Sequence, residues 1–159
     1  MWIAKNNDLI IMAKDTRVEL EQALKFMVYD SIEETETEYQ LYDGKYLTLD
    51  EIAQKEAERI AQLHLTRGDV FRGLLLARQV TRQQIRALIE QMPDTTPEEQ
   101  IAKEYALIDF DESLDFYRGI ALLDTLGQAL GITEEQMTQF FETNDYHYLI
   151  PDSRVQNED

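Results

Sequence analysis

Residues 70 to 90 and 122 to 142 carry one pattern twice, 52 positions apart, and this internal repeat constrains the fold more than any other feature of the chain. Val70 and Phe71 match Leu122 and Leu123, Leu74 matches Leu126, Ala77 matches Ala129, and Val80-Thr81 matches Ile132-Thr133. The match continues from Gln84, Ile85, Leu88-Ile89 and Glu90 to Gln136, Met137, Phe140-Phe141 and Glu142. Each copy reads as a helix, a tight turn, an N-capping threonine and a second helix. The spacing predicts two helix-turn-helix units packed about a pseudo-two-fold axis.

The start signals around the repeat are equally local. Thr48 to Glu51, Thr81 to Gln84 and Thr133 to Gln136 fit the Ser/Thr-x-x-Glu/Gln capping box, and Thr96-Pro97-Glu98-Glu99 places proline at the first helical position. Helix starts are expected near 49, 67, 82, 97, 112 and 134. The first of these helices offers Ile52, Ala53, Ala57, Ile60 and Ala61 as its apolar face, and the fourth Ile101, Tyr105 and Ile108. The fifth, from Leu114 to Leu130, is apolar on most sides through Phe116, Ile120, Ala121, Leu122, Leu123 and Leu126, so it is expected at the centre of the bundle.

The first 48 residues read differently. Trp2-Ile3-Ala4 and Leu9-Ile10-Ile11-Met12 flank Asn6-Asn7-Asp8, and Tyr39–Tyr42 and Lys45–Thr48 flank Asp43-Gly44, two β-hairpin signals. Between them Thr16-Arg17-Val18-Glu19 opens a short helix with Val18, Leu20, Ala23, Leu24 and Met27 as its apolar face, and Val28 to Ile32 reads as a strand. The expected fold class is therefore α+β. A ββαβββ module over 1–48 leads into a six-helix, mainly α region over 49–150 and a disordered tail over 151–159.

Charge is uneven. The chain carries 32 acidic and 15 basic side chains, a net charge of −17, which disfavours direct contact with nucleic acid or an anionic membrane because both need phosphate-neutralising cations. Residues 51 to 92 nevertheless hold seven basic and five acidic groups, while 93 to 159 hold three and 16. The two copies differ in sign at matched positions, Arg72 against Asp124 and Arg82 against Glu134. Arg67, Arg72, Arg78, Arg82 and Arg86 form one basic segment in an acidic chain, with two readings. The arginines cap helix ends and pair with neighbours in the same fold, or they dock an acidic surface on a second copy or another protein.

Motifs that carry chemistry are few. Leu126-Gly127-Gln128-Ala129-Leu130-Gly131-Ile132-Thr133 has the turn of a DNA-binding helix-turn-helix, but the helix after it opens Glu134-Glu135-Gln136 with no cation for phosphate. Arg82, Gln83, Gln84 and Arg86 suit base edges better, against the net charge. Asp109-Phe110-Asp111-Glu112-Ser113-Leu114-Asp115 imitates a calcium loop, yet Leu114 stands where glycine is needed and Ile120 where glutamate is needed. Asp124 interrupts an apolar run and reads as a buried acid paired with Arg118 or Arg72; an enzymatic alternative would place it with Tyr117 in a cleft. His64 reads as a core histidine on the Ile60 face, and His64 and His147 have no metal-ligand spacing. With no cysteine, no nucleophile elbow and no phosphate loop, no catalytic residue, metal or cofactor is expected. Met1 to Ala13 is no signal peptide, and no run approaches the length of a membrane span.

Trp2-Ile3-Ala4 with Leu9-Ile10-Ile11, Ile32–Thr35 followed by Tyr39–Tyr46, and Leu65–Phe71 together resemble small bacteriophage or prophage proteins encoded near tail genes. Ile108–Asp111, Tyr117-Arg118-Gly119, Leu122–Gly127 and Leu130-Gly131 add to the resemblance. It implies a non-enzymatic structural or assembly role, exercised through a protein partner or self-association, in the cytoplasm of a bacterial host or on the virion. It transfers no functional residue. A different class is an acidic DNA mimic, which needs Asp109, Asp111, Glu134, Glu135 and Glu142 in phosphate-like rows on one exposed face.

Overall fold

The structure, a computed structural model, describes residues 1–151 and is α+β, strands first and helices after. The tail expected over 151–159 lies, beyond Pro151, outside the described residues. The chain divides into two compact units, Met1–Glu58 and the part from Arg59 onward.

In the first unit, β1 (Trp2–Asn6) and β2 (Leu9–Lys14) form the expected hairpin, with Asn7 and Asp8 both at positive φ (50° and 65°), the backbone of a type I′ turn. Thr16 and Glu19 close the capping box of α1 (Arg17–Ala23). Leu20 and Leu24 are buried against Ala4, with Trp2, Ile11, Met12 and Ile32 around them. Ile3 and its cross-strand partner Ala13 are buried on the opposite face, so β1 is covered on both sides and lies centrally in the order β2-β1-β3.

The third strand, β3, runs over Ser31–Glu34 rather than Val28 to Ile32. Its register against β1 begins at Ser31 opposite Lys5, and the Asp30 amide donates to Lys5 O at 2.7 Å, so the run before it is left as a loop. Phe26, Met27, Val28 and Tyr29 are all exposed there, and Val18 and Ala23 are exposed on α1, which removes Val18, Ala23 and Met27 from the expected apolar face and leaves Leu20 and Leu24. Next, β4 (Tyr39–Tyr42) and β5 (Lys45–Thr48) pair across Asp43 and Gly44, both at positive φ. Thr48 and Glu51 then cap α2 (Leu49–Gln62), as the sequence predicts. The expected burial of α2 does not follow: none of its residues is buried, Ile52, Ile60 and Ala61 are half-covered, and Ala53 and Ala57 face solvent.

The second unit contains β6 (His64–Thr66), α3 (Arg67–Arg78), α4 (Arg82–Glu90), α5 (Pro97–Glu112), β7 (Asp115–Tyr117), α6 (Ala121–Leu130), α7 (Glu134–Thr143) and a 3-10 turn (Tyr146–Leu149). The repeat is confirmed in detail. Gln79 and Gly131, 52 positions apart, are both left-handed helix C-caps (φ 56° and 63°), and Thr81/Gln84 and Thr133/Gln136 both form complete capping boxes. Val70 and Leu122, Leu74 and Leu126, Ile85 and Met137, and Ile89 and Phe141 are all buried in one core. The strands β6 and β7, one ahead of each copy, pair antiparallel with Leu65 opposite Phe116, as a two-fold relation requires. Packing follows the same symmetry. The first helix of each copy meets the second of the other: α6 packs on α4, and α3 reaches α7 where Gly73 lies under Phe140.

The helix expected to start near 112 is corrected. Its first part is instead the end of α5, an extended Ser113, the strand β7 and the loop to Ile120, the N-cap of α6. Phe116 is buried as expected, but as a strand residue paired with β6, and Gly119 follows where an added Cβ would stand 3.0 Å from Ala61 Cβ.

Two predictions follow from this packing and capping. A Cβ at Gly73 would lie 2.5 Å from the tip of the buried Phe140 ring. Gly73→Ala is therefore expected to lose about 1–3 kcal/mol by overpacking despite the ~1 kcal/mol that alanine gains in a helix; urea unfolding should show this, and Phe140→Leu in the same background should recover part of it. The second concerns Glu51 and Glu99. Glu51 accepts from the Thr48 amide and hydroxyl, and Glu99 from the Thr95 hydroxyl and the Thr95 and Thr96 amides, which hold both carboxyls below the ordinary glutamate value of 4.5. Because the folded value is the lower one, the stability that these caps contribute is present above the ordinary value and lost as pH falls through the folded value. Side-chain NMR titration should find both carboxyls titrating below 4.5.

Candidate interaction surface

The five arginines of the basic segment are distributed over α3 and α4, and each has a partner within the chain. Arg67, at the first position of α3, donates from Nη1 to the carbonyls of Phe110 (3.3 Å) and Asp111 (2.6 Å), closing the C-terminal end of α5. Arg78 does the same elsewhere, Nε to Leu149 O at 2.5 Å and Nη2 to Gly131 O at 3.2 Å, and burial lowers its pKa from the usual arginine value. Arg72 lies across its own helix on Asp69 Oδ1 (2.6 Å) and Gly68 O (3.2 Å), with its side chain 72% exposed.

Arg82 and Arg86 converge on α5. Arg86 Nη1 donates to both oxygens of Asp111 (2.9 and 2.8 Å) and its Nε to Glu90 (3.1 Å), and the bonds to Asp111 raise its pKa above the usual value. Arg82 stands 3.9 Å from Asp111 and lies over the rings of Phe71 (5.7 Å) and Phe110 (5.2 Å). The carboxylate of Asp111 is thus a hub for α4, and it is one of the residues that a calcium loop would need. Asp109, another of them, accepts from Ser113 Oγ at 3.4 Å. Two of the five carboxylates required by a DNA mimic are also occupied, Asp111 by these arginines and Glu142 by Arg59 Nη2 at 2.8 Å.

Around Asp124 the expected burial is reversed. Asp124 is half-exposed and Arg118 is the buried partner, its Nη1 2.8 Å from Asp124 Oδ1, while Arg72 goes to Asp69. The hollow that both line, with Gln128, Thr133 and Met137, measures about 40 Å³. That is room for roughly one water, which would suit the Arg118 Nε that has no hydrogen-bond partner among the described residues. Tyr117 is exposed and its ring lies tilted against that of His64, centroids 5.4 Å apart. His64 is therefore a strand residue on the surface rather than a core histidine on the Ile60 face, because the helix α2 ends before it. His147, on the 3-10 turn, bonds Asp145 Oδ1 at 2.6 Å.

Sequence reasoning missed the surface that remains uncovered. Ile101, Tyr105 and Ile108 form the expected i, i+4, i+7 row on α5, but the row points outward: they are 54%, 65% and 49% exposed, and Ala106 and Phe110 face the core instead. With Pro97, Gln100 and Glu104, also of α5, they border a shallow, open surface depression of about 410 Å³. In the first unit, Phe26 is 96% exposed and Val28 79%. Their loop is tied to the β1–β2 turn by Asn6 Nδ2 to Val28 O (3.1 Å) and by the Asn7 amide to Asp30 Oδ2 (2.7 Å). Leu9, 71% exposed, follows that same turn.

No family model, curated protein or solved structure matches this chain. The chemistry of the surface thus rests on its own residues. No helix among the described residues is long and apolar enough to cross a membrane.

The Asp111 hub generates a measurable expectation. Its pairs are exposed by more than a third, so Asp111→Asn should cost less than about 1 kcal/mol, with the loss shrinking as salt is added. A double-mutant cycle with Arg86→Gln in thermal melts should return the coupling.

Proposed function

We propose that the chain is a non-enzymatic protein that works by holding another protein, in the assembly of a phage or prophage particle, the setting implied by its sequence resemblance. The observation that carries this reading is the loop Phe26 to Tyr29. Four consecutive large apolar side chains stand in water on a loop tied to the β1–β2 hairpin through the Val28 carbonyl and through the Asp30 amide and carboxylate. Exposed apolar side chains scattered singly are ordinary on soluble proteins, but a contiguous group on a preorganised segment marks an interaction site. Anchoring lowers the ordering cost of docking, and burying apolar area contributes about 25 cal/mol per Å².

The arginine segment is a weaker candidate for that role, since Arg67, Arg78, Arg82 and Arg86 already serve helix ends and Asp111. The contact is therefore assigned to apolar surface.

Affinity capture from induced lysogen cells tests the reading. The full chain should retain a phage-encoded protein that the Phe26→Ser/Val28→Ser variant does not, at an unchanged melting temperature because both side chains are exposed. Identical retention by the two chains, or no phage-encoded protein on either, overturns it.

A further inference from the structure

We propose that the outward face of α5 docks a cationic amphipathic helix of a partner protein, its apolar side on Ile101, Tyr105 and Ile108 and its lysines or arginines among the surrounding carboxylates. This rests on the contact-making reading above but concerns a different surface, in the other unit.

The three apolar residues lie on one stripe of a long helix and are each about half or more exposed, an apolar helix face of the kind on which a second helix can pack. Every residue one turn away from the stripe that carries charge is acidic. Glu98 is three positions before Ile101, Glu104 lies between Ile101 and Ile108, Asp109 is four after Tyr105, and Glu112 is four after Ile108. None of the four has a cation within 4.0 Å among the described residues, in contrast to Asp111, which Arg86 and Arg82 neutralise. The cation of α5, Lys103, is turned away from the stripe, 18% exposed and 2.9 Å from Asp94.

Charge decides among occupants. A second copy brought face to face would oppose Glu98, Glu104, Asp109 and Glu112 with the same four carboxylates. The segment after Pro151 carries Asp152, Glu158 and Asp159 against Arg154, and is repelled as well. A helix flanked by lysine or arginine satisfies both the apolar stripe and its rim, with the rim setting partner choice and association rate.

The probe is a fluorescent amphipathic helical peptide of leucine and lysine, with a leucine and glutamate peptide of the same pattern as control, each titrated by anisotropy into the full chain. The lysine peptide should bind and the glutamate peptide should not. Tyr105→Ser/Ile108→Ser should weaken binding about tenfold, and Glu98→Lys/Glu104→Lys by a similar factor at low salt. Phe26→Ser/Val28→Ser should leave it unchanged. Equal binding to the unaltered chain and both α5 variants places the peptide on another surface and overturns the proposal. So does a concentration-dependent dimer that Tyr105→Ser/Ile108→Ser abolishes, which assigns the stripe to a second copy. Failure of the lysine peptide to bind while capture through the Phe26 loop persists rejects the α5 proposal alone.

Discussion

The pairing of Leu65 with Phe116, at the centre of a ribbon only three residues long on each side, is the constraint on which the second unit depends. It sets the start of each copy of the repeat beside the other, antiparallel. The shared core follows from that placement, with the first helix of one copy packed on the second helix of the other. The ribbon ladder is too short to be stable by itself. Phe71 meets the Phe116 ring edge-on at 5.6 Å and the Phe110 ring at 5.3 Å, so α3, α5 and β7 are joined through aromatic packing just beneath it.

Symmetry of backbone coexists with antisymmetry of charge. Arg59 and Asp111 occupy matched positions at the ends of the helices that precede β6 and β7, and Glu90 and Glu142 are matched on α4 and α7. In one half Arg59 of α2 pairs with Glu142; in the other Asp111 of α5 pairs with Arg86, one turn before Glu90. The inversion of sign between Arg59 and Asp111 thus has a structural use inside the fold. On α5, by contrast, Glu98, Glu104, Asp109 and Glu112 stand beside exposed apolar residues rather than cations.

The features legible in the sequence were those decided within a few residues. Five threonine-based helix starts, both hairpin turns with positive φ and the 52-residue repeat all depend on local backbone chemistry, and all are present. What failed depended on the other side of a contact. Periodicity identified the row Ile101, Tyr105 and Ile108 but could not say which side of α5 the core would occupy, and Ala106 with Phe110 won because aromatic neighbours on α3 and α4's arginines gather there. Val28 has high strand propensity, yet the register of β1 against β3 left it in a loop. Three-residue strands inside an apolar run, Asp115–Tyr117, have no signature that distinguishes them from the helix that follows. The exposed apolar surfaces were illegible for the same reason, since an outward face is defined by what does not cover it.

The ribbon also determines the order in which this protein can be made. Its two strands are separated in the chain by the whole of α3, α4 and α5. Until β7 and the helices after it have left the ribosome, Val70, Leu74, Ile85 and Ile89 have no α6 or α7 to cover them. The first copy therefore emerges as half of an interface, and closing that long loop is a step that local helix formation cannot replace. A unit built this way cannot close its core before α6 and α7 exist, and until then its aliphatic helices are open to non-native association.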